Sequence, residues 1–236
     1  MRALLKLIQL EIRKNKLAGM LKGVAIANLA IFAFMLLLTY VDSEGSGSGS
    51  GEFKTYAEMF SGLYVLVKAT FVVFASVVLS KLVIDEYKNN TITLLFMYPI
   101  SRKKLLGAKI IIVFLFTLIS IFVSDVLISA LLIGLNSFTH AIPGQLDLAV
   151  IPGEMIRIGA DAAYAAGIGL IPLYIGMRKK SVPATIVAAV LLVSVSASDF
   201  GNFQPGNLVG FSIFLSLLGV AIAYLSIRNI EQKDIA

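Results

Sequence analysis

The sequence predicts an all-α membrane protein with six transmembrane helices, and three observations carry that prediction. The first is composition: 58% of the 236 residues are hydrophobic and 14% are charged, with a mean hydropathy of +0.91, too apolar for a soluble domain of this length. The second is the set of apolar runs at 17–40, 58–84, 105–136, 150–176, 182–199 and 207–227; a span needs about 20 mostly apolar residues. These runs are continuous, whereas barrel strands alternate with a period of two over about ten residues. The third is charge placement. Lys and Arg collect at 2–22, 81–109, 178–180 and 228–233, while the alternate connections hold little beyond Lys54 and Arg157. This is the positive-inside asymmetry, so both termini are expected in the cytosol.

The remaining bulk properties exclude several functions. The net charge of +6 is spread over separate edges and accompanies no soluble nucleic-acid-binding motif, so it marks topology rather than a nucleic-acid partner. With no cysteine and one histidine, the chain has no disulfide, no His-Glu-x-x-His zinc site and no Cys/His nucleophile pair. It also lacks a glycine-rich loop ending in Gly-Lys-Ser/Thr, so any ATP chemistry must come from another chain. No catalytic residue and no metal site are expected.

In chain order, residues 1–16 place Arg2, Lys6, Gln9, Arg13 and Lys16 opposite Leu4, Leu5, Ile8 and Ile12. That spacing predicts an amphipathic helix lying in the inner headgroup layer. The first apolar run is too long for a signal-peptide core and lacks a cleavage site after it; it opens a single six-helix domain over 17–236. The loop 42–54 contains Gly45-Ser46-Gly47-Ser48-Gly49-Ser50-Gly51, a flexible external coil with no core-forming residues. The second external loop, 137–153, holds His140 and two prolines. Pro172 and Pro183 flank the basic loop between the fourth and fifth spans but have no counterparts in the first half, against an inverted-repeat carrier.

Three ionisable residues lie deep inside predicted spans: Lys68, Asp125 and Asp161. A charge at the bilayer centre costs about 2.5–3.5 kcal/mol on insertion scales, so each is expected to face protein, a partner or water. Helix-bundle contacts and a substrate pathway both fit them. Asp161 follows Arg157 by four residues and can pair with it along one helix face; Lys68 can be neutralised by either acid. The context Ile158-Gly159-Ala160-Asp161 lacks the second glycine of the Gly-x-Gly-Asp pattern, against an intramembrane aspartyl protease.

Between the second and third spans lies a polar island, Asp85-Glu86-Tyr87-Lys88-Asn89-Asn90-Thr91, continuing to Tyr98-Pro99-Ile100-Ser101-Arg102-Lys103-Lys104. Asp85 and Glu86 suit the positive end of a short helix, and Asn90 or Thr91 can cap it or turn the chain. Leu94, Leu95 and Tyr98 give an apolar stripe, Pro99 stops the helix, and the basic triplet anchors the return. A short amphipathic helix at the cytosolic surface is expected over 85–104.

This segment, followed through Gly107-Ala108-Lys109, resembles the signature of ABC-2-type transporter permeases. Glu86, Thr91, Leu95, Pro99, Ser101 and Arg102 match that pattern; Asn90 replaces the usual glycine, and Ala108 separates Gly107 from Lys109. The detailed match covers about 25 residues, but six spans, an amphipathic N-terminal helix and cytosolic termini agree with the family along the whole chain. The resemblance implies that the island is a coupling helix seated on a separate cytosolic ATPase, contacted by Glu86, Tyr87, Asn90, Thr91, Leu94, Leu95, Tyr98, Pro99 and Arg102. It also implies a second permease subunit, identical or similar, ATP and Mg on the partner ATPase, and a bacterial plasma membrane. Chains of this size resemble permeases that export peptide antibiotics, lantibiotics, bacitracin or amphipathic toxins. Two other readings remain open from the residues: an ion-coupled carrier or channel using Lys68, Asp125 and Asp161, and a non-transporting anchor or sensor of an ATPase complex.

Overall fold

A computed structural model describes residues 17–45, 55–85, 102–139, 151–197 and 209–228, and among these residues the ordered elements are all helical. In chain order they are α1 (Leu17–Gly45), α2 (Tyr56–Leu79), a π-helical turn (Ser80–Ile84), α3 (Arg102–Thr139), α4 (Ile151–Ile168), α5 (Pro172–Lys179), α6 (Val182–Ala197) and α7 (Val209–Arg228). Five stretches are long and apolar enough to cross a membrane, namely Gly19–Thr39, Tyr56–Ile84, Lys103–Phe138, Ile151–Lys179 and Gly210–Arg228, and Val182–Ser196 is a shorter apolar helix. The chain is thus a multi-pass, six-helix membrane protein. The expected interfacial helix over 1–16, most of the Gly/Ser loop and residues 86–101 of the polar island lie outside the described residues.

The ends of the helices follow local chemistry. Thr55, in extended backbone, accepts the amide of Glu58 at 3.3 Å and caps α2. Thr55-x-x-Glu58 is the capping-box spacing, which starts α2 two residues earlier than the apolar run alone indicates. The 38 residues of α3 extend for about 57 Å at 1.5 Å per residue, well beyond the hydrocarbon layer. By contrast, α6 has 16 residues, about 24 Å, shorter than the expected span over 182–199.

The fourth span is broken rather than continuous over 150–176. Pro172 has no amide to offer the Ile168 carbonyl, and its ring crowds the preceding turn. The chain responds by tightening: Leu170, Ile171 and Leu173 donate to carbonyls three residues back, at 3.1, 3.0 and 3.1 Å, the 3₁₀ pattern. The eight-residue α5 restarts with Pro172 in its first turn and ends on Arg178 and Lys179, cations suited to a helix C-terminus. Lys180 then turns the chain in the left-handed region, at φ 46°.

α2 is the central helix, touching α1, α3, α4, α5 and α6, while α4 packs most closely on α7 and α3. One core gathers around Phe71, Leu63, Met35, Ile128 and Ala162; a second gathers around Leu79, Leu82, Ile84, Val113 and Leu173. The α4–α7 crossing is built from small residues. A Cβ on Gly219 would fall onto the Gly167 carbonyl, and one on Gly167 would meet Ser216. In lipid there is no hydrophobic drive between helices, so such close backbone approach is what holds them. The outer faces of α1 and α7 stay exposed and apolar, as at Ile26, Leu29, Leu217 and Tyr224.

Candidate functional site

The basic residues gather at one end of the bundle. The π turn at the end of α2 packs against α3, α5 and α6, and Gly107 near the start of α3 lies beside Ile227 near the end of α7. Lys81, Lys103, Lys104, Arg178, Lys179, Lys180 and Arg228 are exposed there. This is the end from which the polar island departs, after Asp85, and to which it returns, at Arg102.

A buried lysine ties the two sides of that exit together. Lys109, 2% exposed, donates from Nζ to the Leu82 carbonyl oxygen at 2.9 Å. Leu82 sits in the π turn, where Asp85 donates its amide to Ser80. A helix carbonyl keeps a second lone pair beyond its backbone bond, so a cation there is both a hydrogen-bond donor and a charge partner. π turns are rare and concentrate at functional positions. Lys109 closes the signature segment in the sequence, but its attachment to α2 has no local sequence signal; only its position in an apolar run marks it as needing a partner.

Toward the opposite end lies an acidic network. Lys68 on α2 and Asp161 on α4 form an ion pair at 3.0 Å, with side chains 20% and 22% exposed. Asp161 therefore pairs with Lys68, not with Arg157. Arg157 instead lies 3.8 Å from Glu154 and stacks over the Tyr64 ring at 5.4 Å. Tyr64 donates to Glu154 at 2.9 Å, leaving Arg157 held on the Glu154 side of the helix. Asp125 on α3 is 1% exposed, lies within electrostatic range of both Asp161 and Lys68, and has Oδ1 without a hydrogen-bond partner among the described residues. The three intramembrane charges singled out in the sequence thus come together from three different helices. Farther along, Asn136 donates to the Tyr56 hydroxyl.

Lys68 also borders a lateral cleft between α2, α4, α6 and α7. The cleft is lined by Val65, Val72, Ile168, Val193, Phe211 and Leu215, with Ser196 and Ser212 as its hydroxyls. The recess is apolar, with one ammonium at its wall. Of the residues expected to meet an ATPase, Arg102 is the first residue of α3; Glu86, Tyr87, Asn90, Thr91, Leu94, Leu95, Tyr98 and Pro99 lie outside the described residues.

Comparison with known proteins places these features in context. The sequence model of a family described as "ABC-2 family transporter protein" matches residues 7–195. A relative from Bacillus subtilis (strain 168), described as "Uncharacterized protein YcbO", is 40% identical over 230 residues, covering 98% of this chain and 100% of that one. No solved structure matches.

Proposed function

This chain belongs to the ABC-2 family of transporter proteins and is a membrane component of an ABC transporter, and from that premise we propose that it is the permease of an ATP-driven exporter of amphipathic or antimicrobial peptides or other lipophilic compounds. ATP and Mg²⁺ bind a separate cytosolic ATPase, and a second permease subunit, identical or similar, completes the pathway in a bacterial plasma membrane with both termini inside. Segment 85–104 seats on the ATPase through Glu86, Tyr87, Asn90, Thr91, Leu94, Leu95, Tyr98, Pro99 and Arg102. Closure of the ATPases on ATP moves that segment as a lever.

The observation that carries this reading is the Lys109–Leu82 bond at the exit of the segment. It joins α2 and α3 at the points where the lever enters and leaves the bundle, so displacement of the lever is delivered to both helices together. α2 is the central helix, and it bears Lys68 at the wall of the lateral cleft. Motion of α2 therefore reaches the cleft directly, and the apolar cleft lining supports a lipophilic solute.

Affinity purification of the chain from its native membranes in mild detergent tests the reading. A cytosolic ATPase is expected in equimolar amount, and it is expected to be lost when Glu86→Arg and Pro99→Gly are combined, with membrane insertion retained. A partner-free oligomer that transports on its own in an ion gradient would overturn the reading in favour of an autonomous carrier.

A further inference from the structure

Helix packing closes the lateral cleft on three sides and leaves the fourth open. α6 leans on α2, α2 on α4, and α4 on α7, whereas α6 and α7 do not pack closely on each other. The opening therefore lies between α6 and α7, whose outer faces are apolar, as at Leu191, Val195, Phe214 and Leu217, so what borders it is membrane hydrocarbon. Along α2 the lining residues Val65, Lys68, Ala69 and Val72 fall on one helix face and span about 10 Å at 1.5 Å per residue. The cleft thus runs along the helices, the direction in which lipid chains lie. Ser196 is the penultimate residue of α6 and Phe211 the third of α7, the ends opposite Lys180 and Arg228. The cleft occupies the half of the bundle away from the basic end, which is expected to face outward.

The polar groups at its wall are engaged within the protein. Lys68 Nζ donates to Asp161 at 3.0 Å, and Ser196 Oγ to the Leu192 carbonyl at 2.9 Å. An acidic group of a solute would have to displace Asp161 from Lys68, and a basic group would meet the ammonium itself; either disturbs a half-buried ion pair, whose separation is costly. Most of the remaining lining is aliphatic or aromatic. Water has few partners on such a surface, and an empty recess forfeits dispersion contacts along its walls. A hydrocarbon chain restores those contacts with no charge to desolvate.

We propose that the cleft seats one hydrocarbon chain of a solute that enters sideways, between α6 and α7, from the outward half of the membrane. The proposal rests on the exporter reading and deepens it by naming the part of the solute that is held. The chain lies along α2 against Val65, Ala69 and Val72, with Val193 on one side and Leu215 on the other, and the polar head stays beyond Ser196 and Phe211. A solute taken up in this way is drawn from the membrane rather than from the cytosol.

The chain has no tryptophan, so a single introduced one reports its own surroundings. Phe211→Trp puts the reporter in the cleft lining, and Phe214→Trp, at a position 60% exposed, puts it on the lipid-facing side of the same helix. Each full-length variant, in phosphatidylcholine vesicles, is titrated with the glycerol monoester of dibrominated stearic acid, whose bromines quench indole fluorescence. Quenching in Phe211→Trp is expected to saturate, with an affinity about tenfold or more above that of the host lipid, and quenching in Phe214→Trp to follow the mole fraction of probe in bulk lipid. Ala69→Phe, added to Phe211→Trp, fills the cleft and is expected to remove the saturable phase; Val193→Phe, from α6, decides the matter if Ala69→Phe does not fold. Free dibrominated stearic acid is expected to quench as its ester does, because the chain and not the head is held. Quenching of both reporters along one curve, no quenching of Phe211→Trp because a second copy fills the cleft, or a saturable phase that survives the fillings would overturn the proposal. So would a tenfold preference for the free acid, which would make Lys68 an anion site. The assay contains no ATPase, so its failure leaves the exporter reading standing, and chain binding by a protein that co-purifies with no ATPase would leave the cleft standing without the exporter.

Discussion

Lys109 shows how much one side chain can carry when its surroundings are apolar. A buried ammonium is tolerated only where a strong acceptor meets it, and the Leu82 carbonyl at 2.9 Å is such an acceptor. Lys109→Met keeps the volume of the stem but removes the charge and the donor, leaving a π-turn carbonyl short of its partner. A loss of about 1–3 kcal/mol is expected, the range for a charge-assisted hydrogen bond, checked as a lowered melting temperature by circular dichroism in detergent. Lys81→Met, on an exposed side chain of the same turn, is the comparison and should melt as the wild type does. Equal melting of the two variants would show that the clasp contributes nothing. At this scale the sequence shows which residues need explaining, because Lys68, Asp125 and Asp161 stand out in apolar runs. It does not show their partners: a sequence separation of 93 between Lys68 and Asp161 leaves no periodic trace. The local rule that pairs Arg157 with Asp161 gives way to Glu154, which is held in place by Tyr64.

Among the elements, α4 and α7 illustrate the packing that a lipid environment demands. Their contact depends on Gly167, Ser216 and Gly219, and no room exists for even one carbon at Gly219. Gly219→Val is expected to force the helices apart, at a cost of about 1–3 kcal/mol or more for overpacking, and to appear in size-exclusion chromatography as loss of the monodisperse peak. Gly210→Ala, where a Cβ meets nothing within 4 Å, should leave the peak intact. A monodisperse Gly219→Val protein would refute the close crossing. The order of the described membrane helices was legible in the apolar runs, whereas the start of α2 two residues before the second run was not read there and is set by the Thr55 cap. The break in the fourth span was legible only in part. Pro172 signals a discontinuity, but the proline removes one amide without stating how the neighbouring carbonyls will be satisfied, and that depends on the tightened bonds donated by Leu170, Ile171 and Leu173. The π turn was not legible, because no local residue pattern within Ser80–Ile84 announces it.

For the whole molecule, the separation of a basic end from an acidic half makes orientation testable. Lys81, Lys103, Lys104, Arg178, Lys179 and Arg228 lie at one end, and by the positive-inside rule this end is expected to face the cytosol. The chain has no cysteine, so single-cysteine labelling is unambiguous. Ser181→Cys, beside the basic turn, should react with a membrane-impermeant maleimide only after permeabilisation, and Ser137→Cys, exposed near the far end of α3, should react in intact cells. The opposite pattern would invert the topology and remove the polar island from the reach of a cytosolic ATPase. The sequence by itself determined that the chain is a multi-pass helical membrane protein of the ABC-2 type, because hydrophobic length, charge asymmetry and the signature beginning at Asp85 are written in consecutive residues. Only the tertiary structure decided that Lys68, Asp125 and Asp161 share one neighbourhood, that Lys109 clasps Leu82, and that α4 and α7 meet at bare backbone. Such contacts depend on how separate helices rotate and approach, and the packing of the whole bundle sets those rotations.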